Sequence, residues 1–366
     1  MESSRSDDPG VVFAINQSSP SAMDARQQIQ PVGSAGNKTA LAQFASSMTR
    51  AATRLLAHRG ERGLLGSIGF ALRYRVLPLL PRIRGQIQIA RIFNHPGPRL
   101  LKERYPSIEY KYLRNYLSLH FPVKTRMEVM ANHYRFLSTR VPETFFAAIF
   151  DEAIPLWEAR MDEGSISVNL SFPHSFDGPH EQHDQEGDLA LFLCLDGTPI
   201  YKLAFTIAPG KVFGIANDAQ VTLIGCLQGR AGSHEQIKAI TKTFHKSHPS
   251  TLLTQAAAAI AAALGTVGIV GISQDAQPCA EKKFQFRYDE FWAGMGASVL
   301  DSGMFFLPFP LPQKPLLSID RKYRKQVQKK RDFLDAFSSD VAKAFHQKLI
   351  APGMHLEQPI EPRTDQ

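Results

Sequence analysis

The residues with the greatest chemical reach stand where one apolar run ends, at Gln228-Gly-Arg-Ala-Gly232 followed by Ser233. A buried strand over Val221 to Leu227 feeds a helix through this glycine turn, and Ser233 with Gln236 three positions on spells a capping box. Backbone N–H groups at such a helix start point back toward the turn and can take an anion. Gln228, Gly229, Arg230, Gly232 and Ser233 are therefore the candidate cofactor-binding residues. Glycine after a strand also serves merely to supply a positive φ. A second concentration of chemistry runs from His174 to Asp188, with three histidines and five carboxylates. It is rich enough to hold a divalent metal. Its proline and glycine flanks leave His180 and His183 without a helix to fix them, however, so a solvated loop is favoured and no metal site is assigned. His133-Tyr134 lies on an apolar helix, where a buried, hydrogen-bonded histidine is a more economical account than a catalytic base. Lys242 and His245 fall a turn apart and complement a helix C-terminus or reach a phosphate.

These groups need elements to position them. Ser165 to Phe172 alternates with period two, as a half-buried strand does. Leu189 to Leu195 and Thr198 to Ile207 pair through Asp196-Gly197, a dipeptide suited to a tight type I′ hairpin. Val221 to Leu227 and Thr266 to Ile272 flank two helices, so they pair in parallel through a crossover. Upstream, apolar spacing predicts two helices over Tyr110 to Leu137 split by Phe121-Pro122, and a third after Pro142. Downstream, a Phe/Pro stretch over Met304 to Pro312 leads to a basic helix with Phe333, Leu334 and Phe337 on one side. The expected fold is α+β: a mixed, largely antiparallel sheet with helices on at least one face, preceded by a disordered N-terminal tail. The main domain opens at the breaker cluster Asn94-His-Pro-Gly-Pro98 and spans residues 94–340, with residues 341–366 as a C-terminal tail.

Residues 1–45 are rich in Ser, Gln, Ala, Gly and Asp and cannot bury enough surface to offset the entropy of ordering. Such a tail also suits a leaderless export signal. Residues 46–93 form an arginine-rich segment; from Arg50 to Arg99 ten arginines face the single acid Glu61. Leu55, Leu56, Leu64, Leu65, Ile68, Phe70, Leu72 and Val76 interleave with the arginines, a pattern for an amphipathic helix on an anionic bilayer or for a helix packed on the main domain.

The 366 residues, 43% hydrophobic and 21% charged, suffice for a sizeable core. A net charge of +8 favours anionic partners: lipid headgroups, nucleic acid or a phosphorylated small molecule. Lys322 to Arg331 is basic but comes with no nucleic-acid reading element, so it argues at most for nonspecific binding. Cys194 and Cys226 sit in apolar runs and Cys279 beside Pro278, with no spacing for a disulfide framework or zinc, which points to a reducing compartment. Neither a cleaved leader nor a membrane span is predicted.

The order of motifs resembles the VirK/YbjX family of Gram-negative bacteria over roughly residues 94–340. The matching pieces are Asn94-His-Pro, Arg104-Tyr-Pro106, His133-Tyr134-Arg-Phe-Leu137, Glu186-Gly-Asp-Leu-Ala-Leu191, Ile224-Gly-Cys-Leu-Gln-Gly229, Ile237 to Lys242, His248-Pro249, Tyr288-Asp-Glu-Phe-Trp292 and the basic Lys322 to Arg331 stretch. This resemblance implies an intracellular bacterial protein linked to virulence, antimicrobial-peptide resistance and envelope or general stress, and brings no established chemistry. In outline the chain is also similar to the acetyltransferase superfamily, which binds the coenzyme A pyrophosphate at a loop after its fourth strand, although the glycine spacing here is out of register. That second resemblance implies acyl-CoA as cofactor and Tyr288 as general acid; Tyr288 and Trp292, four apart on a helix, read equally as core anchors. The expectations are thus a cytoplasmic factor, peripheral to the inner membrane through anionic lipid, with two alternatives: an acyl-CoA-dependent acyltransferase, or a non-enzymatic membrane-surface interaction protein.

Overall fold

The computed structural model describes residues 80–161, 164–176, 184–278 and 286–349. The N-terminal tail, the arginine-rich segment up to residue 79, Cys279, His180, His183 and residues 350–366 lie outside them. Eight strands form one sheet: β1 Ile154–Met161, β2 Gly164–Ser171, β3 Leu189–Leu195, β4 Thr198–Pro209, β5 Gln220–Gly229, β6 Gly268–Gly271, β7 Ser298–Val299 and β8 Phe305–Pro308. Their order is β1-β2-β3-β4-β5-β6-β8-β7, and every neighbouring pair is antiparallel except β5 with β6. The fold is therefore α+β on a mixed, mostly antiparallel sheet. Asp196 and Gly197 join β3 to β4 with φ of 47° and 75°, as a type I′ turn requires.

Eight helices accompany the sheet among the described residues: α1 Leu80–Ile92, α2 Pro96–Arg104, α3 Val123–Ser138, α4 Thr144–Asp151, α5 His234–Thr243, α6 Pro249–Ala263, α7 Tyr288–Gly294 and α8 Arg321–Leu349. Alternate residues of β4 serve two layers. Thr206 faces the side on which α3 packs, where both Thr206 and Tyr134 of α3 bond Asp188. Tyr201 faces the other side and meets His248, which caps α6. The small side chains Ala256, Ala257 and Ala261 are buried and let α6 lie close on the sheet. Proline in the first turn of α6, with His248 Nδ1 accepting from Ser250 N–H at 3.2 Å, starts that helix cleanly.

Several sequence expectations change. The cluster at residues 94–98 separates α1 from α2 and also supplies the first turn of α2, where proline is tolerated. The helix expected from Tyr110 is a 3-10 turn over Ile108–Leu113, and Ser107, Leu117 and Phe121 lie outside any α-helix. Three strands, β1, β7 and β8, were not foreseen; β8 lies within the Phe/Pro stretch. α8 runs on past residue 340, with Leu334, Phe337, Val341, Phe345 and Leu349 buried at helical spacing. It packs on α6 and β1, and Trp157 of β1 sets its ring edge-on to Phe337 at 5.0 Å and to Phe244 at 5.6 Å. No helix among the described residues is long and apolar enough to cross a membrane.

Candidate functional site at the parting of the central strands

The parallel pair β5–β6 is short. Thr222, Leu223 and Ile224 pair with Ile269, Val270 and Gly271, and one further bond runs from Ile272 N–H to Ile224 O at 3.1 Å. Among the described residues, β5 continues from Gly225 onward without a strand on that edge. Two local features part the strands. A bulge between Ala204 and Phe205 leaves Gly225 as the extra residue of β5. Beside it, the fully buried indole of Trp292 lies so close to Gly271 that a Cβ there would sit 2.2 Å from the ring, while Nε1 donates to Ile272 O at 2.9 Å.

Side chains satisfy the backbone that the missing strand leaves open. Gln277 Nε2 donates to Gly225 O at 2.8 Å. The Tyr288 hydroxyl accepts from Leu227 N–H at 3.0 Å, donates to Leu227 O at 3.2 Å, and accepts from Gln277 Nε2 at 3.2 Å. A phenol has one donor and two acceptor sites, so these contacts fill it. Burial first, then Cys226 and Glu186, push its pKa well above the ordinary value, so it stands as a protonated donor.

Below the parting runs a buried ionic spine. Gly225 admits the carbonyl of Glu186, which a Cβ would meet at 2.2 Å, and Gly187 lies against the Phe205 backbone, 2.7 Å from where its own Cβ would be. Glu186-Gly187-Asp188 is thus pressed onto the bulge, and charges lock it there. Lys202 reaches Glu186 at 2.9 Å and Lys111 reaches Asp188 at 2.7 Å, both pairs essentially excluded from solvent. Lys111 also donates to Gly187 O at 2.6 Å, its ammonium over the rings of Tyr116 and Phe172. Asp188 accepts from Tyr116, from Tyr134 at 3.0 Å and from Thr206 at 2.8 Å as well. Burial alone would raise its pKa, but Lys111, His133 and these hydrogen bonds hold it at about 2. These carboxylates are structural anchors engaged by lysines. His133 accepts Ile207 N–H on Nδ1 at 3.0 Å, and burial, outweighing the pull of Asp188, keeps its pKa near 4; it is the buried, hydrogen-bonded histidine of the two sequence readings.

The structure brings Tyr288 to the residue just before Gln228. Gln228 and Gly229 belong to β5 and pair with Lys202 and Tyr201. The turn proper is Arg230 to Ser233: Arg230 N–H bonds Ile200 O at 2.9 Å, Gly232 takes φ +79°, and Ser233 N–H returns to Arg230 O at 3.2 Å. The expected capping box is not made. Ser233 stands at the N-cap position with ψ of 20°, outside the extended region that aims a capping side chain at the helix, and its hydroxyl forms no cap bond. The Gly229 side of the corner is packed by Tyr201 and Ile237, each within 3.3 Å of a Cβ built there. The backbone N–H groups that start α5 remain at the turn. Sequence reasoning missed Gln277, Lys111 and Lys202. Lys242 lies in the last turn of α5, and His245, at φ +52°, sets its ring against Phe333. His174 stacks on Phe192 with centroids 4.2 Å apart.

Comparison with known proteins gives three relatives and one family. The profile of a family described as "Protein of unknown function (DUF535)" matches residues 68–343. "Uncharacterized protein YbjX" of Escherichia coli is 24% identical over 291 residues, covering 75% of this chain and 82% of its own. "Membrane protein LapB" of Mannheimia haemolytica is 26% identical over 231 residues, 62% of this chain and 92% of its own. A Haemophilus influenzae protein is 24% identical over 274 residues, 73% of this chain and 85% of its own.

Proposed function

Matched over residues 68–343 of 366, the chain belongs to the DUF535 family, that of VirK and YbjX, and we propose that it is a bacterial factor for virulence, antimicrobial-peptide resistance and envelope or general stress that acts by acyl transfer from an acyl thioester such as acyl-CoA. Family likeness supports the physiological part. One observation carries the chemical part: β5 and β6 part beyond Ile224, and the Leu227 amide in the gap is held by side chains alone on that edge. Such a gap suits a thioester, because an extended pantetheine arm can replace the missing strand while a backbone N–H polarises the carbonyl.

The residues fit on one condition: Tyr288 and Gln277 must release Leu227 and Gly225 as the substrate enters. Leu227 N–H then takes the thioester carbonyl. An acceptor amine or hydroxyl forms the new bond to the acyl carbon, the C–S bond breaks, and the Tyr288 phenol gives its proton to the departing thiolate. The acceptor's own proton restores the phenol. The backbone N–H groups at the start of α5 are the place for the cofactor's pyrophosphate. The same reading puts the protein in the cytoplasm against the inner membrane; the +8 net charge and the name of LapB support that.

Calorimetric titration of the full chain with acetyl-CoA and palmitoyl-CoA, followed by release of free thiol in the presence of candidate amine and hydroxyl acceptors, tests the reading. The wild type is expected to bind, and Tyr288→Phe to bind while releasing thiol about a hundredfold more slowly. A wild type that binds neither thioester removes the acyl-transfer reading.

A further inference from the structure

At the opposite end of β5 lies a cleft of about 940 Å³, within the size range of small-ligand sites. Its walls are α1, one face of α3 from its first turn to Arg135 in its last, and the ends of β4 and β5 with the connection between them. Gln220, on its rim, starts the strand seven residues before Leu227, which puts the cleft roughly 20 Å from the parted strands.

Among the described lining residues, four are cations, Arg84, Lys124, Arg135 and Lys211, and one is a carboxylate, Glu128. Glu128 is engaged by Lys211 at 2.7 Å. Arg84, Lys124 and Arg135 are exposed and have no carboxylate partner among the described residues. Three like charges around one concavity repel each other, and low-dielectric walls focus their field into it. The first turn of α3 adds to that field: Pro122 is its N-cap, no side chain caps it, and Val123 and Lys124 line the cleft. The floor is apolar, with Met127 and Ala131 buried, while Asn132 and Gln220 bond each other at 2.7 Å along one edge.

We infer that this cleft is a binding site for a phosphoanion carrying an apolar moiety, its phosphate drawn in by the combined field of Arg84, Lys124 and Arg135 and its apolar part lying over Met127 and Ala131. Phospholipid headgroups and soluble phosphorylated molecules share that chemistry. A nucleic acid would need a longer basic stripe, whereas this site is compact and half apolar. The inference deepens the peripheral part of the proposed function and is independent of the acyl-transfer part.

The test uses the full chain with Arg84→Gln, Lys124→Gln and Arg135→Gln combined. A control combines Lys238→Gln, Lys325→Gln and Lys329→Gln, which remove the same charge from exposed positions elsewhere. Flotation with phosphatidylcholine vesicles, with and without phosphatidylglycerol, reads the lipid source; calorimetry with inorganic pyrophosphate reads the soluble one. The cleft variant is expected to weaken about tenfold or more in at least one arm while the control stays near wild type, since each basic residue strengthens binding at an anionic surface severalfold. The arm that weakens names the source. The inference is overturned if the wild type binds in neither arm, if the cleft variant binds as the wild type does, or if both variants weaken alike. Acetyl-CoA binding retained by the cleft variant keeps the two sites separate. Loss of it would move the coenzyme into the cleft and sink the parted-strand reading while leaving the cleft assignment standing.

Discussion

Replacing Lys111 by Met tests the claim that the buried spine is held by charge. Lys111 and Asp188 are both fully buried and 2.7 Å apart, so the substitution strands a carboxylate in a medium that cannot solvate it. Breaking a buried pair in this way costs about 3–5 kcal/mol. Tyr116, Tyr134 and Thr206 still donate to Asp188, which places the expectation at the lower end, about 3 kcal/mol. That is a large share of a typical domain's stability. Adding Asp188→Asn removes the stranded charge, so the double variant should recover part of the loss. The pH dependence is more specific. In the wild type the Asp188 pKa of about 2 lies below its unfolded value, so its contribution is fully present above roughly pH 4 and is lost as pH falls toward 2. In Lys111→Met the depressing cation is gone and burial, which raises the pKa, remains. The folded value then exceeds the unfolded one, the folded state holds the proton more tightly, and the gap to wild type narrows as pH is lowered from about 7 toward 4. Urea unfolding followed by the fluorescence of Trp157 and Trp292 measures both effects. A single-variant cost under about 1 kcal/mol, or a gap indifferent to pH, refutes the reasoning.

Tyr288→Phe leaves the Leu227 amide and carbonyl and Gln277 short of a partner and should cost about 1–3 kcal/mol by chemical denaturation, whether or not the phenol works in catalysis. Gly225→Ala sets a methyl against the Glu186 carbonyl, a backbone atom that cannot swing aside; a loss of about 1–3 kcal/mol is expected, and near-neutral behaviour would mean the spine does not press on the bulge. His133, held near 4 against an ordinary value of about 6.5, stays neutral in the fold while the unfolded chain takes up a proton. Stability should fall by roughly 3 kcal/mol as pH drops from about 6.5 to 4. His133→Phe, less stable at pH 7 for want of an acceptor for Ile207 N–H, should lose its share of that slope.

What the sequence showed of this fold depended on whether a signal was local. The hairpin at Asp196-Gly197 and the β5–helix–helix–β6 crossover announce themselves within a few residues, through positive-φ turn chemistry and apolar runs of strand length. β8 was hidden because prolines 308, 310 and 312 argue against a strand, yet a short strand near the sheet edge tolerates one at its end. Lys111 and Lys202 could not be read as buried, since a lysine between tyrosines or beside a leucine looks exposed until its carboxylate is known, and Asp188 is 77 residues from Lys111. For the candidate site the order strand, turn, helix was legible, but the strand runs two residues further than read, through Gln228 and Gly229, and the turn's internal bonding was not legible. A capping box is only a pattern of residue types; the ψ of Ser233, set by the turn from Arg230, decides whether its hydroxyl reaches the helix. Gln277 bears no mark at all, because its role exists only where two strands part.

The clasp of α8 on β1 orders events during synthesis. Trp157 emerges early and its two aromatic neighbours late, Phe337 last of all. A nascent chain therefore carries β1 with one side uncovered until Phe337 has been made, and Lys348 reaches back to the Pro155 carbonyl at 2.6 Å only after that. Termination before Phe337 leaves a sticky aromatic edge, an easy target for the quality-control proteases that clear unfinished chains.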